Sequence, residues 1–161
     1  MNGKVAVKLL NPQGLMVGKS QSRPRVAIVA YLFPTVSETF VINHVTGLID
    51  MGYEVDIYAF GAEKLDNYGH RQLDEYQLAE LTTYLPKELD QEGVARQFQQ
   101  RDYCAVHCHF GQVAEKMAFL KGHLPRAAFV VTFHGMDIRT ALAEGDHILH
   151  STFQTFDWFI S

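Results

Sequence analysis

Cysteine is scarce: the chain holds two, Cys104 and Cys108, in one short apolar segment. A secreted disulfide framework needs more thiols at wider spacings, so a reducing compartment is expected. No apolar run approaches the roughly 20 residues of a membrane span, which argues against a transmembrane helix. Low-complexity tracts and internal repeats are missing. Charged residues make up only 20% of the chain against 47% hydrophobic ones, a globular and not a disordered composition. Acidic residues are absent from the first 25 positions, where Lys4, Lys8, Lys19, Arg23 and Arg25 stand alone; the other nine of 14 bases face all 18 acids. Residues 1–24 are therefore read as a basic arm, suited to peripheral contact with anionic lipid or a partner, though so sparse a charge also suits a plain solvated tail. Lys8 interrupts the only early apolar run, which speaks against a signal peptide.

What is present is an alternation of strand-like and helix-like segments. RVAIVAYLF (residues 25–33) is a near-continuous apolar run ended by Pro34, as for a strand buried on both faces. In TFVINHVTGLID, Phe40, Val41, Val45, Leu48 and Ile49 share one helical face, and Gly52 stands at a helix end. EVDIYAF (54–60) is a second strand. Strand, helix and strand within about 36 residues fit a right-handed crossover between parallel strands. Beyond a polar stretch over 61–80 that gives no clear pattern, LTTYL (81–85) suggests a short strand and YCAVHCHF (103–110) another. Val113, Ala114, Met117, Ala118 and Leu120 then repeat at helical spacing until Gly122. AAFVVTF is a further strand, a helix is expected over 146–155, and DWFIS (157–161) reads as a last strand. The fold class expected is α/β, an open, mainly parallel Rossmann-like sheet with helices on both faces. Ending on Trp158, Phe159, Ile160 and Ser161 without a polar tail suggests a fragment of a longer protein.

Ligands of open α/β sheets bind beyond the carboxyl ends of the strands, and three polar loops fall there. In FPTVSETF, Thr35 and Glu38 stand in capping-box relation, with Ser37 and Thr39 adding hydroxyls near free helix amides that favour phosphate or sugar oxygens. The same spacing also describes a plain capped helix. In HCHFG, His107 and His109 point to one face of a strand, the arrangement of an H-x-H metal pair and equally of hydrogen-bonded structural imidazoles. No cysteine or carboxylate stands at tight ligand spacing, so no metal is expected. Cys108 faces the other way and packs. In VVTFHGMDI, Gly135 permits a sharp turn that projects His134 past the sheet edge, and Asp137 either orients that histidine or caps the following segment.

Taken together, FPTVSETFVINHVTGLIDMGYEVDIYAF, VHCHFG and VVTFHGMDI resemble the N-terminal half of family 4 retaining glycosyltransferases of the bacterial exopolysaccharide and colanic-acid type, over roughly residues 25–161. The resemblance implies a GT-B fold of two Rossmann-like domains facing across a cleft, of which residues 25–161 would be the acceptor-side domain and the donor-side C-terminal domain, with its pair of glutamates, would be absent. It implies His134 beside the transferred sugar, with Asp137 and Gly135 in the same motif. Pro34, Thr35, Ser37, Glu38 and Thr39 would line the cleft, and His109, Phe110 and Gly111 would be the strand-end motif. No cofactor and no metal are implied. A nucleotide-sugar donor and a saccharide or lipid-linked acceptor are, on the cytoplasmic side of the membrane, with no nucleic-acid partner. One departure is that only residues 86–102 separate the third strand from the HFG strand, where the family has a longer helical stretch. Without the donor half the chain is expected to be inactive alone. The residues also leave open a non-catalytic saccharide- or partner-binding module, and a metal-dependent hydrolase using His107, His109, His134 and Asp137.

Overall fold

The structure, a computed structural model, describes residues 23–35, 37–62, 71–145 and 149–161. Most of the basic arm lies outside these residues, as do positions 146–148 of the helix expected over 146–155. Six strands, β1 (Arg25–Ala30), β2 (Glu54–Ala59), β3 (Thr82–Tyr84), β4 (Tyr103–His109), β5 (Ala128–Thr132) and β6 (Trp158–Ile160), form one sheet in the order β3-β2-β1-β4-β5-β6. Every neighbouring pair is parallel. This is the open α/β Rossmann-like architecture expected, with the chain reversing direction between β1 and β4, where such sheets open a crevice at their carboxyl edge.

Helices cover both faces. α1 (Thr39–Asp50) and α2 (Arg71–Glu75) are associated with the face where Val26, Ile28, Val55 and Ile57 meet Val41, Ile42 and Val45. On the other face α3 (Gln91–Gln99), α4 (Gly111–Met117) and α5 (Leu120–His123) pack over Ala27, Val29, Val106, Cys108, Phe129 and Val131. α6 (Met136–Glu144) and α7 (His150–Thr155) complete that layer. The periodicity of 2 in β4 therefore sends Val106 and Cys108 into one core and His107 and His109 toward α1. Beyond β4 the α1 side thins out: Val130 and Thr132 of β5 are only half-buried. The strand histidines thus sit where the apolar cover of α1 ends.

Several expectations need correction. β1 stops at Ala30, three residues short of Phe33. Phe33 is nevertheless only 1% exposed, in a loop anchored by its amide on Gly61 O at 2.9 Å and by the Tyr84 hydroxyl donating to its carbonyl at 3.1 Å. Its apolar character reflects burial and not ladder pairing, and a cis peptide joins it to Pro34. On α1 the buried positions are Val41, Ile42, Val45 and Thr46, while Phe40 is 36% exposed. α3 has no counterpart among the expected elements, although Asp90 accepts from Gly93 N–H at its N-cap and Val94, Ala95 and Phe98 stand at helical spacing. α2 and α6 have none either.

Phe98 is fully buried and stacks on Tyr58 at 4.2 Å. Truncation by Phe98→Ala removes that contact and leaves a cavity, so the urea unfolding free energy is expected to fall by about 3–5 kcal/mol.

Candidate functional site

The loops after β1, β4 and β5 meet at the carboxyl edge, and a buried carboxylate joins two of them. Asp137, in the first turn of α6 and 2% exposed, accepts through Oδ2 from the Gly111 amide at 2.8 Å. Through Oδ1 it accepts from the amides of His134 and Ile138, both at 3.0 Å. It therefore meets the first-turn amide of Ile138 and clamps the HFG turn to the HGMD turn; its hold on His134 runs through the backbone. Gly135, at φ +78°, makes the turn that frees the histidine. Gly111 has a different reason: a Cβ there would stand 2.8 Å from the Phe133 ring and 2.9 Å from the Leu149 side chain. Between them Phe110 holds φ +74°, a left-handed conformation rare for an aromatic residue, which places its ring 4.5 Å from that of His134.

Four histidines gather on the α1 side. His109 Nε2 lies 3.0 Å from His44 Nδ1 on α1, and His109 Nδ1 lies 3.0 Å from His134 Nε2. His107 stacks parallel to His109 at 5.1 Å and bonds through Nε2 to Thr132 Oγ1 at 2.7 Å. Phe40 stacks on His134 with centroids 4.1 Å apart. Burial holds all four imidazoles below their ordinary pKa. His109 is pushed down to about 2 and His107 to about 3, each by burial first and then by neighbouring imidazoles. His44 is lowered by burial alone, and His134 by burial against an opposing pull from Asp137. At neutral pH they are uncharged, and a neutral imidazole carries one N–H and one lone pair. His109, bonded on both nitrogens, must donate to one neighbour and accept from the other, which gives the His44–His109–His134 chain a direction. His134 serves there as a hydrogen-bonding group and not as a cation.

The β1 loop reaches this cluster through its last residues. α1 begins at Thr39 with Glu38 at its N-cap and no side-chain capping bond, so the capping box expected between Thr35 and Glu38 is not what starts the helix. Thr35 is instead 4% exposed, with its hydroxyl 3.4 Å from that of Ser37. Glu38 shares a cleft of about 390 Å³ with Tyr31, Phe110, Gln112 and Val113, directly between the ends of β1 and β4. No described hydrogen bond or ring contact joins Pro34 to the histidines. A larger cavity of about 520 Å³ opens at the amino ends of the strands, lined by Arg25, Glu54, Arg101, Asp102 and Arg126 among others. Of the arginines there, Arg25 pairs with Glu54 and Asp56, Arg101 with Asp56 and Arg126 with Asp102, and parallel sheets bind ligands at the other edge, where we place the candidate site.

The structure brings His134, Asp137, Gly135, His109, Phe110 and Gly111, all named from the sequence, to one place at the carboxyl edge, and adds His44, Thr132 and Phe40, which the sequence does not single out there. Phe40 and His44 lie one helical turn apart beside the apolar face of α1, the one pattern that could have exposed them. For metal chemistry, the close ligand-capable set among the described residues is His44, His107 and His109, within 4.8 Å of one another, whereas the hydrolase reading draws on His107, His109, His134 and Asp137.

Removing the clamp by Asp137→Ala leaves a buried amide unmet, so the unfolding free energy is expected to drop by about 2–3 kcal/mol, with Asp137→Asn recovering part of it. The buried histidines set a pH dependence. Below about pH 6.5 the unfolded chain protonates His107 and His109 while the folded chain does not until about 3 and 2. The unfolded state then binds more protons, and stability is expected to fall steadily from pH 6.5 toward 3 with no contribution from these groups above it. Urea midpoints across that range check this, and a midpoint flat below pH 6 contradicts it.

No family model matches the chain. It is 45% identical over 69 residues to the amylovoran biosynthesis glycosyltransferase AmsK of Erwinia amylovora, a segment covering 43% of this chain and 16% of that protein. Over 65 residues it is 42% identical to the putative colanic acid biosynthesis glycosyltransferase WcaL of Salmonella typhimurium, covering 40% of this chain. Over 64 residues it is 41% identical to WcaL of Escherichia coli K12, again covering 40%. Each match spans only 16% of the WcaL protein concerned. The curated relatives of this chain are thus glycosyltransferases named for exopolysaccharide and colanic acid biosynthesis, alike to it over part of its length.

Proposed function

We propose that residues 25–161 are the acceptor-side domain of a family 4, GT-B, retaining glycosyltransferase that passes a sugar from a nucleotide-sugar donor to a saccharide, lipid-linked in surface polysaccharide synthesis. The observation that carries this reading is the convergence of the loops after β1, β4 and β5 on one uncharged histidine at the carboxyl edge of the sheet, in a chain whose relatives are glycosyltransferases. Sugar recognition suits such a site: Phe40 and Phe110 offer ring surface, and His134 offers a hydrogen bond to a hydroxyl. The Ser37–Thr39 segment supplies further oxygens beside the cleft that Glu38 lines.

In this reading the donor half is a second domain that closes over the carboxyl edge, and the chain alone transfers nothing. His134 contacts the reacting sugar; Asp137 is a positioning residue that keeps the imidazole and the Gly111 turn in place. Holding both reactants in a closed, pre-oriented site supplies much of the rate. The protein works on the cytoplasmic side, with the basic arm at residues 1–24 in peripheral contact with the membrane that carries the acceptor.

Isotope-labelled chain titrated with lipid-linked saccharide fragments and then with nucleotide sugars tests this by NMR. Amide shifts are expected to converge on residues 37–39, 109–111 and 134–137, and His134→Ala is expected to weaken the response. In transfer assays with a donor domain supplied, His134→Ala is expected to lower the rate about 100- to 1,000-fold, the usual loss of one well-placed hydrogen-bonding group. Shifts confined to the amino edge of the sheet would overturn the placement of the site.

A further inference from the structure

We propose that His44, His107 and His109 form a three-histidine site for a divalent transition-metal ion of the zinc class. The glycosyl-transfer reading neither requires nor predicts it, since the family resemblance implies no metal.

One nitrogen from each residue lies within 4.8 Å of the other two, and His44 Nδ1 stands 3.0 Å from His109 Nε2. Two nitrogens bound at 2.0–2.1 Å to one tetrahedral zinc stand about 3.3 Å apart, so small side-chain rotations bring the set into coordination. The scaffold favours this. His107 and His109 alternate out of a central strand with parallel rings, and His44 comes down on them from α1 with its ring 4.6 Å from His107 and 5.2 Å from His109. Strand and helix are held together by the core in which Val41, Ile42 and Val45 pack on Val26 and Ile28.

The outer partners support the assignment independently. Metal-bound imidazoles usually donate their second nitrogen to an acceptor that fixes ring orientation. Here His107 Nε2 meets the Thr132 hydroxyl at 2.7 Å, and His109 Nδ1 meets His134 Nε2 at 3.0 Å. An all-imidazole set without carboxylates suits zinc, cobalt, nickel or copper and not magnesium or calcium. Three protein ligands leave a fourth tetrahedral position for water or another small ligand. Coordination replaces the hydrogen bond between His44 and His109 and gives His109 Nδ1–H to His134.

The chelator-stripped chain is titrated with Co2+ and then Zn2+, with no sugar present, so the outcome is separate from that of the transfer reading. One equivalent of Co2+ is expected, with the visible absorption of a four-coordinate site that Zn2+ abolishes, and Zn2+ is expected to shift the ring resonances of His44, His107 and His109. His44→Gln is expected to lose binding, Thr132→Val to weaken it about 10- to 100-fold, and His123→Gln to leave it unchanged. The ring resonances keep the test valid if a variant fails to fold. Substoichiometric Co2+ on folded wild-type chain, unmoved ring resonances, or wild-type affinity in folded His44→Gln overturns the proposal.

Discussion

The geometry of the carboxyl edge rests on the Asp137 carboxylate. It is buried, it lies in the first turn of a helix, and its two oxygens take amides from two different loops. Charge-assisted bonds of this kind are stronger than neutral ones and demand closer placement. Given that clamp, the HFG turn cannot drift from the HGMD turn, Phe110 is held in its strained conformation, and His134 stands within reach of His109. The apolar cores beneath determine that a sheet forms; the carboxylate determines what its edge presents.

The second constraint is desolvation. Placing polar rings beside a core is costly unless their nitrogens are met. The cluster meets this demand internally: His109 is satisfied on both sides by other imidazoles, and His107 by a threonine hydroxyl. Burial keeps the rings neutral, which is what allows four of them to share so small a space without repulsion. Thr132 is placed for its task by sheet register, since it pairs with His109 across β4 and β5 while bonding to His107 two residues earlier.

Much of this was legible in the sequence, because strand alternation and strand-end position are local properties. The strands were read correctly apart from their ends, and the shared face of His107 and His109 follows from alternation alone. What escaped reading depends on tertiary contact. His44 sits in an ordinary amphipathic helix, and only the crossing of α1 over β4 turns it into a partner of His109. Phe40 looked like core because it is large and apolar, yet the helix rotates it onto His134. For Asp137 the sequence leaves open whether it orients His134 or caps the following segment, and its bonds to the backbone amides of Gly111, His134 and Ile138 are a distinction that no spacing rule carries.

The direction of the histidine chain sets which hydrogen-bonding group His134 presents at the edge. When His109 donates to His134 Nε2, the single proton of His134 lies on Nδ1, and the exposed side of the ring offers a donor. When the chain runs the other way, Nδ1 offers a lone pair. A hydroxyl satisfies both forms, but an ether or carboxylate oxygen satisfies only the first. In the proposed site, the tautomer chosen at His44, on the far side of His109, would thus decide which functional groups the outer ring accepts, and a proton shift in α1 would become a change of chemical selectivity at the end of β5.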